Sequence, residues 1–507
     1  MDTPTPIEAR TPASGFLRLC GVALLAGYLI LSWIGACGGI SSQDAHGIIR
    51  VVNEQVQSGT IQVSRPPGHP LNEYWVLPNV VRLMHLGGGG PALTPFGYSL
   101  YQLAGGLICL GFFWLLLGQF SISPARRLLA TACLAFSPNF LITSSEGEEF
   151  NWGMACVFAA LLVLTRLSTG ATKSPLSGWF LSVAFAVAAS GYRVEYGGVA
   201  LLAVFVTLLF SDQSWPRRIG LGVFACGLFL LIWMPVLLHQ GVSPPYDNPL
   251  SILTRIAVGV YKIAFQSFGV VPFVIALTFL FQARGAFRIL PPFRQNLLGY
   301  WALWLVVIFF CLFFLYPTKI LVVLPGVAFL ILLGAAYAER WTWSVFALGC
   351  MALQLVHVDC FDNRQWVGPI VRPGLWAQDQ VAKPAAMRPR IDAGDQIAST
   401  GRHVVIVNVW AWSLDWQKQN AGWAGVPDPE STYEGWFESY NFGPGMVASR
   451  SILDNHSKLL AAYVSQGYDL WVDKGLYRER YMRYNLNAPT PETAVIDGLP
   501  YHVVEMK

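Results

Sequence analysis

Asp44 and the stretch from Ser64 to Pro70 carry the residue types best suited to chemistry in this chain. Asp44 follows a long apolar run, at the mouth of a predicted membrane helix. A carboxylate there can act as a general base or cap the next helix, and one residue can do both. In Ser-Arg-Pro-Pro-Gly-His-Pro the prolines restrict the backbone, so Arg65 and His69 are held with little freedom. The planar guanidinium of Arg65 suits a phosphate group.

A second acidic group lies in Ser-Ser-Glu-Gly-Glu-Glu-Phe, between two apolar runs. Its carboxylates are Glu146, Glu148 and Glu149. Carboxylates this close to hydrocarbon must be solvated, paired or metal-bound. They form either a second acidic wall opposite Asp44 or a solvated helix cap, in which the dipole of the next helix favours Glu148 and Glu149. The sequence leaves both interpretations open.

Further charged residues flank other apolar runs. Arg193 lies in Tyr-Arg-Val-Glu-Tyr, where Glu195 can neutralise it or the guanidinium can bind an anion. Lys319 is an isolated cation after Tyr-Pro-Thr. Glu73, four residues after His69, can orient that histidine or pair with an arginine. Cations and carboxylates that converge on one face suit a phosphate-bearing donor and an acceptor hydroxyl.

Long apolar runs must position these residues. With 54% hydrophobic and 12% charged residues, the chain of 507 residues is not a soluble globular protein, which would carry roughly 25% charge. Its nine cysteines show no spacing typical of a disulfide framework or a metal site. A run of about 20 apolar residues crosses a bilayer as a helix. Such runs predict about eleven membrane helices, near residues 16–37, 97–120, 127–143, 151–165, 176–192, 196–211, 219–238, 267–283, 297–316, 320–338 and 341–358.

Basic residues predict the orientation of these helices, because they stay on the cytoplasmic side. They recur in alternate loops, which places the N-terminus inside and the tail outside. We therefore expect a multi-pass protein. The absence of a dense cysteine pattern and of a strong retention signal favours a bacterial-type plasma (inner) membrane. The acidic residues collect on the outer side, which fits a solvated surface or an outward-facing polar site. The amphipathic segment 48–56 and the less apolar segment 250–266 predict helices along the membrane surface.

The composition changes after residue 358, where charge, proline and glycine rise. We expect a membrane domain over 1–358 that includes a long outer loop at 38–96, a linker over 359–395, and a small α/β domain outside the membrane over 396–507. Alternating and periodic patterns predict the elements of that last domain. They are strands at 403–410, 468–472 and 501–505 and a helix at 452–464.

The features of the first part resemble the GT-C superfamily of membrane glycosyltransferases. They are an acidic residue just past the first helix, a long first outer loop with the Arg-Pro-Pro-Gly-His-Pro turn, carboxylates in the second outer loop, and a late Tyr-Pro…Leu-Pro stretch from Tyr316 to Pro325. The protein mannosyltransferase and aminoarabinose transferase branch is the most similar. The resemblance covers residues 16–358 or so, and the tail resembles accessory outer domains in position only.

This resemblance implies inverting transfer of a sugar from a polyprenyl-phosphate donor to a lipid, glycan or protein acceptor at the outer face. Asp44 would be the base, and Glu148 or Glu149 would match the second catalytic acidic position, beside Glu146. The resemblance makes Arg65, Arg193 and Lys319 candidates to hold the phosphate. We also expect substrate-binding roles for His69, Glu73, Glu146 and Glu195. Membrane lipids are expected partners and nucleic acid is not.

One departure from the family bears on the cofactor. Gln43-Asp44-Ala45 stands where many members have an Asp-Glu pair. No cofactor or metal ligand is therefore assigned, and a divalent cation stays an open expectation.

A transporter or flippase of lipid-linked glycans is the alternative. Transporters usually carry charged or broken helices at mid-membrane. Here the apolar runs hold few ionisable residues, and Pro138, Pro235 and Pro325 are their notable breakers. Polar groups gathered on one face favour the enzyme.

Overall fold

The computed structural model of the protein describes most of the chain. The described residues are 15–38, 43–59, 61, 64, 69–86, 93–120, 122–146, 149–168, 175–209, 211–239, 251–283, 306–315, 320–353, 355–362, 365–378, 380, 383–409, 414, 439–455, 457–482 and 489–506.

Helices make up the apolar part of the chain. In chain order they are α1 Gly15–Gly38, α2 Gln43–Ser58, α3 Leu77–Leu86, α4 Pro95–Leu117, α5 Pro124–Ala135, α6 Pro138–Glu146, α7 Phe150–Ser168, α8 Pro175–Tyr192, α9 Val194–Leu209, α10 Trp215–His239, α11 Ile252–Lys262, α12 Val270–Gln282, α13 Val306–Leu315, α14 Leu324–Tyr337 and α15 Arg340–Ala352. A π-helical segment, Leu71–Val76, leads into α3, and another, Ile263–Phe268, follows α11.

The protein is a helical, multi-pass membrane protein. Among the described residues, five helices are long and apolar enough to cross a membrane, or up to seven if each of two bent pairs is one span. The predicted count of eleven spans is not confirmed. Shorter apolar helices lie at several of the other predicted positions, namely Leu176–Tyr192, Val194–Leu209 and Val306–Leu315.

Two predicted spans differ from the structure. The run 127–143 is broken into α5 and α6, which meet at 61° just before Pro138. The run 341–358 is wrong at its end, because α15 stops at Ala352 and a strand starts at Val356. Alternating β-branched residues replace the helical pattern there. The segment predicted to lie on the surface, 250–266, forms α11 and its π-helical extension, which meet α12 at 102°.

The chain divides into two compact units. The first comprises Met1–Cys37, Gly47–Asp359 and Pro369–Ala377, and the second comprises Gly38–His46, Cys360–Gly368 and Gln378–Lys507. Within the first, α4, α7, α8 and α9 pack side by side around a continuous apolar core. Small residues permit the close approach. A Cβ at Gly105 of α4 would lie 2.6 Å from the indole Nε1 of Trp152 on α7.

The range 359–395 contains regular structure, which differs from the plain linker that we predicted. Strands β1 Val356–Asp362 and β2 Gln365–Pro373 pair with each other, and the single turn α16 Leu375–Ala377 follows. The helix α17 Lys383–Thr400 comes next. It packs on the sheet of the C-terminal domain.

The second unit contains a six-stranded sheet, so the small C-terminal α/β domain is confirmed in kind. Its strands are β3 His403–Ile406, β4 Ser439–Phe442, β5 Gly445–Ala448, β6 Asp469–Asp473, β7 Thr493–Ile496 and β8 Leu499–Val504. They lie in the order β4-β5-β3-β6-β8-β7, with the inner four parallel and each outer strand antiparallel to its neighbour. The strand predicted at 403–410 therefore ends early, at Ile406.

Helices cover both faces of this sheet. One face carries Val404, Ile406, Leu470 and Val472, with α18 Ile452–Asn455, α19 Ser457–Ser465 and α20 Lys474–Tyr481. The other face carries Val405 and Val407 and packs against α17 through Ile391 and Ala398. Parallel strands buried on both faces in this way are almost continuously apolar.

Candidate active site

A buried ionic cluster joins three connections between helices of the first unit. His69 lies just before the first π-helical segment, Glu149 just before α7, and Arg193 between α8 and α9. Glu149 Oε1 lies 3.1 Å from His69 Nε2 and 2.9 Å from Arg193 Nη1. The side chain of Glu149 is fully buried. A buried carboxylate is stable only when paired and hydrogen-bonded, so these contacts hold the cluster together.

The hydrogen-bond partners of His69 specify where its protons lie. Nδ1 is 2.8 Å from the carbonyl oxygen of Tyr192, which can only accept, so Nδ1 carries a hydrogen. Nε2 faces the same Glu149 oxygen that accepts from Arg193. A carboxylate oxygen that accepts from arginine has lone pairs to share but no proton to give. The geometry therefore favours a hydrogen on both ring nitrogens, the form of histidine that carries positive charge.

Arg193 is held on several sides. Its Nε and Nη2 each lie 2.9 Å from Glu195 Oε1, while Nη1 donates to Glu149. The guanidinium carbon lies 3.8 Å from the centre of the Phe150 ring, a cation–π contact. With His69 protonated, the charges of His69 and Arg193 balance those of Glu149 and Glu195. These contacts favour the neutralising interpretation of Arg193 over anion binding.

Glu73 binds the described residues on either side of the segment that contains Arg65. It accepts from the backbone N–H of Ser64 at 3.2 Å, the Ser64 hydroxyl at 2.5 Å, and the backbone N–H of His69 at 3.3 Å. Glu73 is fully buried. It thus joins Ser64 to His69 and positions His69 through its backbone.

A network of buried hydroxyl and amide groups lies next to Glu149, between the end of α6 and the start of α7. The Tyr28 hydroxyl and Ser144 Oγ are 2.7 Å apart, and Asn151 Nδ2 donates to Ser144 Oγ at 2.8 Å. Thr143 donates to Asn151 Oδ1 at 2.7 Å. These bonds fix the end of α6 against the start of α7, where Glu149 stands. A satisfied polar network of this kind rigidifies the segment that it joins.

Aromatic rings form a stacked column beside the cluster. Tyr101 and Trp152 stack with ring centres 4.9 Å apart, and Trp152 stacks on Tyr192 at 6.0 Å. Tyr98 stacks on the other side of Tyr101 at 6.2 Å. Tyr192 also supplies the carbonyl that binds His69. The column therefore joins α4, α7 and α8 at the level of the ionic cluster.

Polar atoms near Tyr98 are buried without hydrogen bonds among the described residues. Gln102 is fully buried, and its amide lies beside the Tyr98 hydroxyl without a hydrogen bond of good geometry among the described residues. Asn72 donates to the Tyr98 hydroxyl at 3.2 Å, but its Oδ1 has no such partner. Leaving such groups unsatisfied costs about 1–3 kcal/mol each, so they are available to the hydroxyl groups of a ligand or to water.

The structure brings together half of the predicted site residues. His69, Glu73, Glu149, Arg193 and Glu195 lie in one connected group. The backbone of Asp44 lies in the first turn of α2 and that of Glu146 at the end of α6, but both side chains lie outside the described residues. Arg65, Glu148 and Lys319 also lie outside them. Asp44 and Glu148 stay predictions as catalytic residues, and Arg65 and Lys319 as phosphate-binding residues.

Tyr98, Gln102 and Asn72 were missed in the sequence. The signal was present, because Tyr98 and Gln102 are polar side chains one turn apart in an otherwise apolar run, and such residues usually face a protein interior. The Tyr192 carbonyl carried no signal. Among the described residues, no group of three or more His, Cys, Asp or Glu side chains could hold a metal ion.

Comparison with known proteins identifies solved structures with a similar fold. No protein-family model matches the chain, and no curated protein matches it. Crystal structures of ArnT from Cupriavidus metallidurans do match. The apo structure has 14% identity and a TM-score of 0.51, and the structure bound to undecaprenyl phosphate has 14% identity and a TM-score of 0.50. Each match covers 80% of this chain and 84% of ArnT.

A third match, the arabinofuranosyltransferase AftD from Mycobacteria, has 15% identity and a TM-score of 0.47 over 88% of this chain and 32% of AftD. ArnT is an aminoarabinose transferase of the GT-C class. The chain therefore has the GT-C fold of membrane glycosyltransferases, and the resemblance seen in its sequence is confirmed at the level of the fold.

Proposed function

We propose that the protein is a membrane glycosyltransferase that moves a sugar from a polyprenyl-phosphate donor to an acceptor hydroxyl at the outer face of the membrane. The observation that carries this proposal is a GT-C fold whose ionic cluster joins three connections predicted to lie on one side of the membrane. The ArnT structure bound to undecaprenyl phosphate supports the choice of donor, because it shows that this fold can hold such a lipid.

Asp44 is proposed as the base. It would take the proton of the acceptor hydroxyl while that oxygen attacks the anomeric carbon and the lipid phosphate leaves with the bonding electrons. The displacement inverts the anomeric configuration, since attack and departure occur on opposite sides. Arg65 and Lys319 are proposed to stabilise the leaving phosphate, whose charge grows as the bond breaks.

The ionic cluster is proposed to position this machinery. His69 and Glu73 fix the two ends of the turn that holds Arg65, and Glu149 ties that turn to the start of α7. Arg193 and Glu195 complete the charge balance, so their contribution to donor binding is indirect. The buried amides of Gln102 and Asn72, beside the aromatic column, are proposed to bind sugar hydroxyls, since aromatic faces and amide groups together suit a carbohydrate.

The experiment is transfer from a radiolabelled polyprenyl-phosphate sugar in membranes that contain the protein, with a panel of sugars. The wild type should transfer label from at least one donor, and Asp44→Asn should lose that transfer while still inserting and folding. Glu54→Gln is the matched control, because Glu54 is an acid of the same helix that pairs with Arg50.

Two other outcomes would change the proposal. Failure with every donor would favour a transporter or flippase of lipid-linked glycans. Equal transfer by the wild type and Asp44→Asn would keep the class of enzyme and move the search for the base to Glu146, Glu148 and Glu149.

A further inference from the structure

The sheet of the C-terminal domain has a topological switch point. The chain passes from β3 to β5 on one side, then returns across β3 to β6 on the other side, and continues outward to β8. The direction of winding therefore reverses between β3 and β6. In open parallel sheets, ligands bind in the crevice outside the carboxyl ends of the strands at such a point.

The register of the sheet places two polar side chains at this edge. Ile406 pairs with Ala448 of β5 and with Val472 of β6, so Val407, Ser449 and Asp473 form the next row. Neighbours in a row point to the same face, and Val407 packs on α17, where a Cβ at Gly394 would lie 2.7 Å from Val407 Cγ1. Ser449 and Asp473 are thus directed towards the α17 side of the edge.

Both side chains are buried with unused hydrogen-bonding capacity. Ser449 is 0% exposed and Asp473 is 2% exposed. Among the described residues, neither Ser449 Oγ nor Asp473 Oδ2 has a hydrogen-bond partner. Leaving such an atom buried and unsatisfied is unfavourable, so the fold retains two costly groups at the place where its topology favours a ligand.

A third group completes the edge. The carbonyl oxygen of the Asn408 side chain accepts from Arg450 Nη1 at 3.0 Å, which leaves Nδ2 as the donor that the side chain can offer. Arg450 is in turn held by Glu479 at 3.0 Å. Asn408 follows β3 and Asp473 ends β6, so the donor and the acceptor stand on the two strands that flank the switch point.

The cap on α20 argues against a phosphate ligand at the N-terminus of that helix. The N-terminus of α20 is the natural anion site, but Asp473 Oδ1 already accepts from the backbone N–H groups of Gly475 and Leu476, at 2.6 and 3.1 Å. A phosphate there would meet a fixed carboxylate. A neutral hydroxyl group has no such conflict, because it can donate to Asp473 Oδ2 and accept from Asn408 Nδ2.

We propose that the carboxyl edge of β3, β5 and β6 is a carbohydrate-binding site, in which Asp473, Ser449 and Asn408 bind vicinal hydroxyl groups of a neutral sugar. Arg390, one turn before Gly394 on α17, is close enough to Asp473 to interact with its carboxylate electrostatically. The site is separate from the residues proposed for sugar transfer, and it does not depend on that proposal.

The test is binding of neutral trisaccharides to the full-length protein in detergent. Mannotriose and arabinotriose are the sugar probes and ADP is the phosphate probe, with binding measured by saturation-transfer NMR and calorimetry. At least one trisaccharide should bind. Ser449→Ala and Asp473→Asn should each weaken that binding by about tenfold or more, since each removes a hydrogen-bonding group. The control Ser465→Ala, at an exposed serine of α19, should leave it unchanged.

Folding is checked separately. Ser449→Ala should not lower the melting temperature, because Oγ has no partner to lose among the described residues. Asn is also a good N-cap residue, so Asp473→Asn keeps the start of α20. The proposal is overturned if neither trisaccharide binds, if both variants bind as the wild type does, or if ADP binds and is lost in Asp473→Asn. Loss of sugar transfer alone would not bear on it.

Discussion

The ionic cluster of the helical unit and the carboxyl edge of the C-terminal sheet differ in the partners of their buried carboxylates. In the cluster, one oxygen of Glu149 has two cationic partners within 3.1 Å. At the sheet edge, Asp473 uses one oxygen as a helix cap and has no described partner for the other. The first arrangement pairs its carboxylate with two cations, whereas the second uses its carboxylate to cap a helix.

This difference bears on how a polar group is interpreted. Paired buried charges, such as Glu149 and Arg193, hold connections in place, and removing one partner leaves the other charge buried and uncompensated. Unpaired buried groups, such as Ser449 Oγ, contribute little to the fold and are more informative about binding. Substitutions in the two regions should therefore have opposite consequences for stability and for ligand binding.

The largest effect is expected for Glu149→Gln. The change removes the charge between His69 and Arg193 and leaves two buried cations opposite a single carboxylate, Glu195. Breaking a buried pair in this way costs about 3–5 kcal/mol, so the melting temperature in detergent should fall sharply. Transfer should drop on the order of 100-fold in the protein that still folds, because shifts of about 1 Å in positioning residues have that effect.

Glu195→Gln is the matched variant. It removes the other carboxylate partner of Arg193. The Glu195 side chain is 22% exposed, so its charge is partly screened by water. A clearly smaller loss of stability is expected. Equal losses for the two variants would mean that the burial of Glu149 does not increase its contribution to stability.

A smaller effect is expected for Gly105→Ala, which tests the packing beside the cluster. The added Cβ would meet Trp152 Nε1 at 2.6 Å, and Tyr101 and Tyr192 hold that indole on both faces. Overpacking of this kind costs about 1–3 kcal/mol and should show as a lower melting temperature.

The control for this substitution is Gly111→Ala on the same helix, where no described atom lies within 4 Å of the added Cβ. It should be neutral or slightly stabilising, since alanine favours a helix over glycine. If both substitutions destabilise equally, close packing at Trp152 is not the cause.

The smallest effect is expected for Asp473→Asn and should depend on pH. Burial raises the pKa of Asp473 above its usual value near 3.8, against the helix N–H groups and Arg390, which lower it. The folded protein then keeps this proton to a higher pH than the unfolded chain does, so the stability from this group is lost as the pH rises through its folded pKa.

Asparagine mimics the protonated form at every pH. The variant should therefore match the wild type at pH values below the usual pKa and become relatively more stable as the pH rises above it. Melting temperatures at several pH values check this, with Asp469→Asn, at an exposed residue of the same strand, as the control. A difference that stays constant with pH would contradict the account.

The sequence predicted the class of fold because long apolar runs and alternating patterns are local. It also identified Glu149 and Arg193, because charged side chains at the ends of apolar runs stand out, and His69, because it lies in a segment restricted by prolines. The sequence did not predict the hydrogen-bond partners of these residues. His69 binds the carbonyl of Tyr192, 123 residues away, and a backbone carbonyl gives no residue-type signal.

Errors in the predicted spans have physical reasons as well. Pro138 was recognised as a breaker, yet hydropathy alone cannot distinguish one span from two short helices that meet at 61°. The run 341–358 stays apolar after the helix ends, and apolar β-branched residues suit a strand equally well. The unsatisfied atoms at the sheet edge depend on register, which no local pattern reveals.

The most direct test of the central proposal is sugar transfer by the purified protein in liposomes. The donor would be a labelled undecaprenyl-phosphate sugar, and wild type, Asp44→Asn and Glu54→Gln would be compared at equal amounts of folded protein. We expect transfer by the wild type and by Glu54→Gln, with none above background for Asp44→Asn. Transfer by Asp44→Asn at the wild-type rate would contradict the assignment of the base, and no transfer by any of the three from a full panel of sugars would contradict the glycosyltransferase itself.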